Sequence, residues 1–313
     1  MPPIGIHVAA GHYHLFHRVA PTVAKHKGYF AEENLAVEIS ATGTDQKSLQ
    51  ALVAGELDII VDLKTPVALR GADRGAPVVL IGGFLNTYPG ILVGAKGIRS
   101  IADLKGHKVG TREPNGVQLT LTSMVLIKAG LDPARDVTLV PHTGASSFKA
   151  IGPRLDRGEM QARIAHKAFL GDFQRAGYPI LADLADYLPH GYQLRAIATT
   201  SAFLENNSEP VIGFLKGMIR AYRFMTTSRN HAEMMAIIEK SDLKFEEDMD
   251  QSMWEEEYPL IPGIPEDGSI NTQGLQIILD EEKAAGRLSQ EMTLERVLRR
   301  VPVTMAAAAL SGR

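Results

Sequence analysis

Ten histidines and no cysteine occur in 313 residues, and the placing of the histidines is the first chemical signal. His12 and His14 flank Tyr13, and His17 follows one helical turn after His14. His142 and His166 each stand just past a short apolar run, beside Thr143-Gly144 and Lys167. Cations accompany them: Lys64 precedes Thr65, and Arg112 opens the stretch Arg112-Glu113-Pro114-Asn115-Gly116. Histidine titrates near neutral pH, so imidazoles beside Lys64 or Arg112 could move a proton while the cation anchors a carboxylate. Decarboxylation requires both acts. The plainer reading, which leads, is that these side chains hydrogen-bond an anionic ligand. A metal site ranks third. His12 and His14 share a face if a strand continues through them, and His14 and His17 align if a helix starts early. Either pair lacks a third ligand and matches no zinc spacing, so no metal and no cofactor is expected.

Composition narrows the partner. Basic residues number 33 against 36 acidic, a net charge of -3, which leaves no footprint for nucleic acid or an anionic membrane. The absence of cysteine excludes disulfides, thiolate metal sites and a cysteine nucleophile. The start Met1-Pro2-Pro3-Ile4 carries no basic-then-apolar signal, and no run of about 18 apolar residues could cross a bilayer. The chain as written therefore reads as cytoplasmic, or as periplasmic if a leader once preceded it. No dinucleotide fingerprint, phosphate loop or nucleophile elbow stands in a convincing context.

The elements that must position these residues alternate. Apolar runs at Ile4–Ala9, Leu35–Ser40, Leu57–Val61 and Val78–Gly83 read as strands. Between them Leu15–Lys27, Ser48–Ala54 and Pro66–Ala72 read as helices, the first two closed by Gly28 and Gly55. The pattern restarts at Ile91–Gly94 and runs through strands near Lys108, Val137, Gln161 and Ile180. Helices at Val117–Ala129, Ser146–Arg157 and Ala168–Ala176 separate them, and Gly152-Pro153 interrupts the second. After a strand at Leu194–Thr199 the chain turns helical: Glu209–Thr226, His231–Lys240, Phe245–Tyr258 and Asn271–Ala285. Strand-helix alternation implies mostly parallel sheets flanked by helices. The expected organisation is an α/β protein of two lobes. Lobe 1 comprises 1–90 plus 193–313 with the C-terminal helices, and lobe 2 comprises 91–192. Hinges are expected near 88–91 and 192–196, with one ligand-binding cleft between the lobes.

Five phrases then carry a resemblance. They are Lys27-Gly28-Tyr29-Phe30 followed by Leu35 and Val37; Ala51-Leu52-Val53-Ala54-Gly55-Glu56-Leu57-Asp58; and Gly97 through Gly110, with Ser100-Ile101-Ala102-Asp103-Leu104-Lys105-Gly106 at its centre. Ala129-Gly130-Leu131-Asp132-Pro133 and the Phe203–Tyr222 helix with Glu209-Pro210 complete the set. In this order they resemble the substrate-binding proteins of the nitrate, sulfonate, taurine and thiamine-pyrimidine type. The resemblance implies a type II periplasmic-binding-protein fold, whose scaffold also serves lyases and decarboxylases. The cysteines of the pyrimidine synthases and the desulfinases are missing. Where exported members carry Gly-Glu-Ile-Asp-Ala in the second lobe, this chain has Gly158-Glu159-Met160-Gln161-Ala162.

In open α/β sheets, ligands gather beyond the carboxyl ends of the strands, where loops meet helix N-termini. That rule selects His12, Tyr13, His14, Thr44, Lys64, Thr65, Phe84 and Asn86 in the first lobe. In the second it selects Arg112, Asn115, Gly116, His142 and His166. Tyr13 or Phe84 would offer a stacking surface. The leading expectation is a binding protein of the ABC-transporter kind for an anionic or aromatic acid, handing its ligand to a membrane permease if exported. The alternative is a cytoplasmic cofactor-free decarboxylase or lyase of aromatic carboxylates, with His12, His14 or His166 as acid-base groups. A transcription-regulator effector domain would need a DNA-binding segment, and the chain opens directly on a strand.

Overall fold

The computed structural model describes residues 2–11, 15–112, 116–142, 144–188, 190–243 and 263–311. The chain divides into two compact units, 1–87 with 190–313 and 88–189, so it passes from one to the other at 87–88 and again at 189–190.

Unit 1 is built from β1 (Ile4–Ala10), α1 (Leu15–His26), β2 (Leu35–Ala41), α2 (Asp45–Ala54), β3 (Ile59–Lys64), α3 (Thr65–Asp73) and β4 (Val78–Leu85). Unit 2 holds β5 (Gly90–Gly94), β6 (Lys108–Thr111), α4 (Val117–Lys128), β7 (Thr138–Pro141), α5 (Phe148–Asp156), β8 (Ala162–His166), α6 (Leu170–Arg175), β9 (Ile180–Asp183) and the short α7 (Leu184–Tyr187). Back in unit 1 come β10 (Arg195–Thr200), α8 (Ser201–Asn206), α9 (Ser208–Thr226), α10 (His231–Glu239), α11 (Thr272–Ala284) and α12 (Val301–Ser311). The helix expected at Phe245–Tyr258, with its Met249, Met253, Trp254 and Glu255-Glu256-Glu257, lies outside the described residues.

The two sheets share one plan. Unit 1 orders its strands β2-β1-β3-β10-β4 and unit 2 orders them β7-β6-β8-β5-β9. In each, the fourth strand in that order runs antiparallel to both neighbours, while the strands to its other side pair in parallel. Those reversed strands, β5 and β10, are the first that the chain makes after each crossing between the units.

Local sequence explains the elements. Val78–Leu85 is buried at every position because β4 is covered on both faces, which is why it reads as an unbroken apolar run. Edge strand β2 instead alternates, with Leu35 and Val37 buried and Ala36 and Glu38 exposed. Thr44 caps α2, its side chain accepting from Lys47 N–H, and Gly55 ends that helix at φ +75°. A side chain other than glycine's would resist that left-handed turn. The face of α9 that packs on unit 1 buries Val211, Phe214, Leu215, Met218 and Tyr222, and Phe214 stacks on Phe30 at 5.1 Å. Gly217 lets the two approach: a Cβ there would meet the Phe30 ring at 2.5 Å.

Several boundaries differ from the sequence reading. The third strand does not stop at Val61 but continues to Lys64, so Asp62 and Lys64 belong to β3 and Thr65 opens α3. Strand four likewise continues through Phe84 and Leu85. Pro153 does not interrupt its helix; it lies within α5. The terminal helix α12 went unread because its apolar residues run together without a helical period.

Candidate functional site

The carboxyl edge of the unit 1 sheet holds a buried charge network. Asp62, on the middle strand β3, is fully buried. One oxygen accepts Gly11 N–H at 2.8 Å, and the other lies 2.5 Å from His17 Nδ1 and 3.1 Å from Arg195 Nη1. Gly11 and His17 flank the segment with His12, Tyr13 and His14, so one carboxylate grips the chain on both sides of it. Arg195 also donates to Asp45 Oδ1 at 3.1 Å and to the Asp62 carbonyl. Asp45 in turn accepts Lys64 N–H at 3.0 Å, and Lys64 Nζ stands 3.5 Å from it. The antiparallel register, Arg195 opposite Lys64, is what delivers the guanidinium to this edge. Burial alone would raise the Asp62 pKa, but His17 and Arg195 outweigh it and hold the carboxyl below the usual range.

The same edge of unit 2 is built around a cation. Arg163, on the middle strand β8, is fully buried. Its guanidinium donates to His142 Nδ1, to Ala145 C=O at 3.2 Å and to Gly144 C=O at 3.0 Å, shaping the loop after β7. His142 is 7% exposed, and its backbone N–H donates to Thr111 C=O at 2.6 Å. Its Nε2 is buried with no hydrogen-bond partner. Burial first, then Arg163, push the imidazole down to about 4. Gln118, in the first turn of α4, is 3% exposed; its Nε2 donates to Tyr88 Oη at 3.0 Å and Ser146 Oγ at 2.7 Å. Gln118 Oε1 and, one turn on, Thr122 Oγ1 are buried and unpartnered. A buried polar atom left unpaired costs about 1–3 kcal/mol, so each of these is a place where a further group could form a bond; unit 1 has such atoms too, at Asn86 Oδ1 and Glu281 Oε1.

The expected site residues are distributed as follows. His12, Tyr13, His14 and Asn115 lie outside the described residues. Thr44 is exposed as the α2 cap, and Lys64 is half-buried against Asp45. Thr65 is fully buried and its hydroxyl donates to Gln193 C=O at 2.6 Å, so its hydrogen-bonding serves the interior of the unit. Phe84, expected on a loop, is instead buried in β4, edge-on to Phe16 at 5.7 Å and to Tyr222 at 6.4 Å. Asn86 donates to Ser269 C=O at 3.1 Å and leaves its buried Oδ1 unpartnered. Arg112 is exposed just past β6, and Gly116 precedes α4 as its cap. His166 ends β8, where Nδ1 accepts Ala168 N–H at 3.2 Å and burial pushes the ring down to about 4. His17, weighed as a metal ligand, is engaged by Asp62. Sequence reasoning missed Asp62, Arg195, Arg163 and Gln118. An arginine or aspartate inside an otherwise apolar strand, as in Ala162-Arg163-Ile164-Ala165 or Ile59-Ile60-Val61-Asp62, was the available signal.

Comparison with known proteins agrees with this fold. A candidate binding protein of Bacillus subtilis, YtlA, is 22% identical over 218 residues, 67% of this chain and 62% of its own length. The chain thus matches less than two thirds of that relative. A candidate thiamine biosynthesis protein of Haemophilus influenzae is 25% identical over 252 residues, 78% of this chain and 76% of its own length. Among solved structures, the sulfonate-binding protein SsuA assigned to a sulfonate ABC transporter of Methylobacillus flagellatus superposes with a TM-score of 0.79. It covers 99% of this chain and 96% of its own at 13% identity, which shows a shared periplasmic-binding-protein fold. Residues 19–232, the span that builds both sheets apart from β1, match the family model described as NMT1/THI5 like. The chain belongs to the NMT1/THI5-like family.

Proposed function

We propose that this protein binds a small anionic or aromatic acid and serves as the substrate-binding component of an ABC-type importer. The observation that carries the reading is the polar edge of unit 2, where His142 Nε2 and Gln118 Oε1 are buried without partners. Such atoms are costly in a finished interior and useful where a ligand supplies the missing bond. At the same edge of unit 1 stand Lys64, the last residue of β3, and Asn86, just past β4, and Arg112 adds a cation beside β6 of unit 2. SsuA of Methylobacillus flagellatus is named for sulfonate binding, in keeping with an anionic ligand here. None of the helices among the described residues is long and apolar enough to cross a membrane, so delivery would require a separate permease.

The test is a thermal-shift screen of aliphatic sulfonates, aromatic carboxylates and heterocyclic acids, followed by calorimetry and mass spectrometry of each hit. A compound that raises the melting temperature and is recovered unchanged establishes binding. A compound that returns without its carboxyl group replaces this reading with a decarboxylase.

A further inference from the structure

The geometry points to recognition of the ligand's oxyanion by an uncharged histidine: His142 donates its Nε2–H to a carboxylate or sulfonate oxygen, and Arg163 is the positioning residue that holds the ring for it. This inference rests on the binding reading above and names the ligand class at the unit 2 edge.

The argument begins with what a guanidinium can do. Arg163 only donates hydrogen bonds, so the His142 Nδ1 facing it must be the acceptor nitrogen. The ring is then neutral, and its proton is on Nε2. That N–H is the buried atom with no partner in the structure, on a side chain more than nine-tenths buried. A neutral imidazole with a cation behind it is a polarised donor. It presents positive potential to an acceptor without gaining a proton of its own. Among the described residues, the other charges acting on the ring are Arg154 and Glu159, and they pair with each other at 3.0 Å. Burial and Arg163 also keep the ring from protonating until about pH 4. The first turn of α4, which carries Gln118, opens at the same edge and adds the positive end of a 12-residue helix. An oxyanion bound here meets a donor that neither gains nor loses charge, so its affinity is level across the range where free histidine titrates.

Nitrogen-15 NMR of the labelled full chain reads the ring directly. Between pH 5 and 8 the two His142 nitrogens should keep the unequal shifts of a neutral Nε2–H tautomer. Imidazolium shifts at pH 6, or an Nδ1–H tautomer, would overturn the inference. Calorimetry with benzoate and ethanesulfonate as probes tests the ligand class. At least one should bind with a Kd constant within about twofold from pH 5.5 to 8. His142→Phe should weaken that binding tenfold or more. His142→Gln, which can still accept from Arg163 and donate onward, should recover most of it. Arg163→Met should introduce a pH dependence, with affinity rising as the released ring protonates below about 7. Unchanged affinity in His142→Phe, or wild-type affinity that climbs steeply as pH falls, defeats the inference while leaving a binding protein. Binding of neutral heterocycles but neither oxyanion does the same. If no compound of any class binds, the binding reading itself fails, and the ligand class falls with it.

Discussion

The middle strand of each sheet carries one fully buried charge that organises the carboxyl edge, and the two charges have opposite sign. In unit 1 it is Asp62 on β3; in unit 2 it is Arg163 on β8. Asp62 sits among basic groups: the Arg195 guanidinium directly, the His17 ring beside it, and Lys64 across Asp45. Arg163 donates to the Nδ1 of an imidazole and to two carbonyls, and the other nitrogen of that ring is buried without a partner. The contrast separates two uses of burial. A guanidinium shared by two buried carboxylates ties distant strands together, whereas one that donates to a ring nitrogen and two carbonyls orders a single loop.

The largest effect should come from breaking the compensated network. Arg195→Met leaves Asp62 and Asp45 buried without their shared guanidinium, and should cost about 3–5 kcal/mol in urea unfolding of the full chain. Arg163→Met removes the donors to the His142 ring and to two carbonyls and should cost less than half as much. Equal losses would show that the difference in compensation is not what distinguishes the two edges.

Acid should loosen the units in sequence. His142 and His166 titrate at about 4 when folded against about 6.5 when unfolded. The unfolded chain therefore takes up protons first. Their contribution is complete above pH 6.5, declines as pH falls, and is lost below about 4, roughly 3 kcal/mol for each ring. Asp62 is shifted the other way relative to its charge: its carboxyl is held low, so its contribution persists above the ordinary Asp value and fails only as pH drops through its folded pKa. Hydrogen exchange at pH 7, 5 and 4 should find protection falling first around β6, β7 and β8. Simultaneous loss in both sheets would contradict this assignment.

Unit 1 also holds a group that prefers the proton. Burial pushes Glu281 of α11 up to about 7; Tyr192 Oη donates to it at 2.9 Å, and its second oxygen is buried without a partner. The nearby charges are Glu282, Asp280 and Arg287, and Glu282 is itself held by Arg70 and Arg287. Because the folded pKa exceeds the unfolded one, the stability that Glu281 contributes is full below about 4.5 and lost as pH rises through 7. Glu281→Gln should therefore stabilise the protein by about 1–2 kcal/mol at pH 8 and by almost nothing at pH 4.5. A gain independent of pH would mean that Glu281 is not the titrating group.

Much of this architecture could be read from the chain, because strand-helix alternation and glycine stops are local signals. Ile4–Ala9, Leu35–Ser40 and Val117–Ala129 are found within about two residues of where periodicity puts them. The site was less legible. Loop positions could be nominated from the carboxyl-end rule, and His142, His166 and Lys64 do stand at those ends. But the groups that hold them are charges inside strands, and their meaning depends on partners far off in sequence: Arg195 reaches Asp62 across 133 residues. Periodicity treats such a residue as a flaw in an apolar run. Phe84 erred in the opposite direction: the strand reading stopped at Gly83, although the apolar run continues through Phe84 and Leu85, and the strand takes the ring inward.

The smallest test of the contrast uses two buried threonines. Thr199 on β10 is fully buried, and its hydroxyl donates to Asp58 C=O at 2.6 Å. Thr122 on α4 is equally buried, and its hydroxyl has no partner. Valine matches threonine in shape and removes only the hydroxyl, so each substitution weighs one polar atom. Thr199→Val should cost about 1 kcal/mol, because a carbonyl loses its donor. Thr122→Val should gain up to about 1 kcal/mol, because a desolvated hydroxyl is replaced by a methyl group. Opposite signs in matched melts would confirm that unit 2 keeps polar atoms its own stability does not need. If Thr122→Val also destabilised, a partner such as a buried water would already satisfy that hydroxyl, and the case for an unfinished edge in unit 2 would rest on His142 and Gln118 alone.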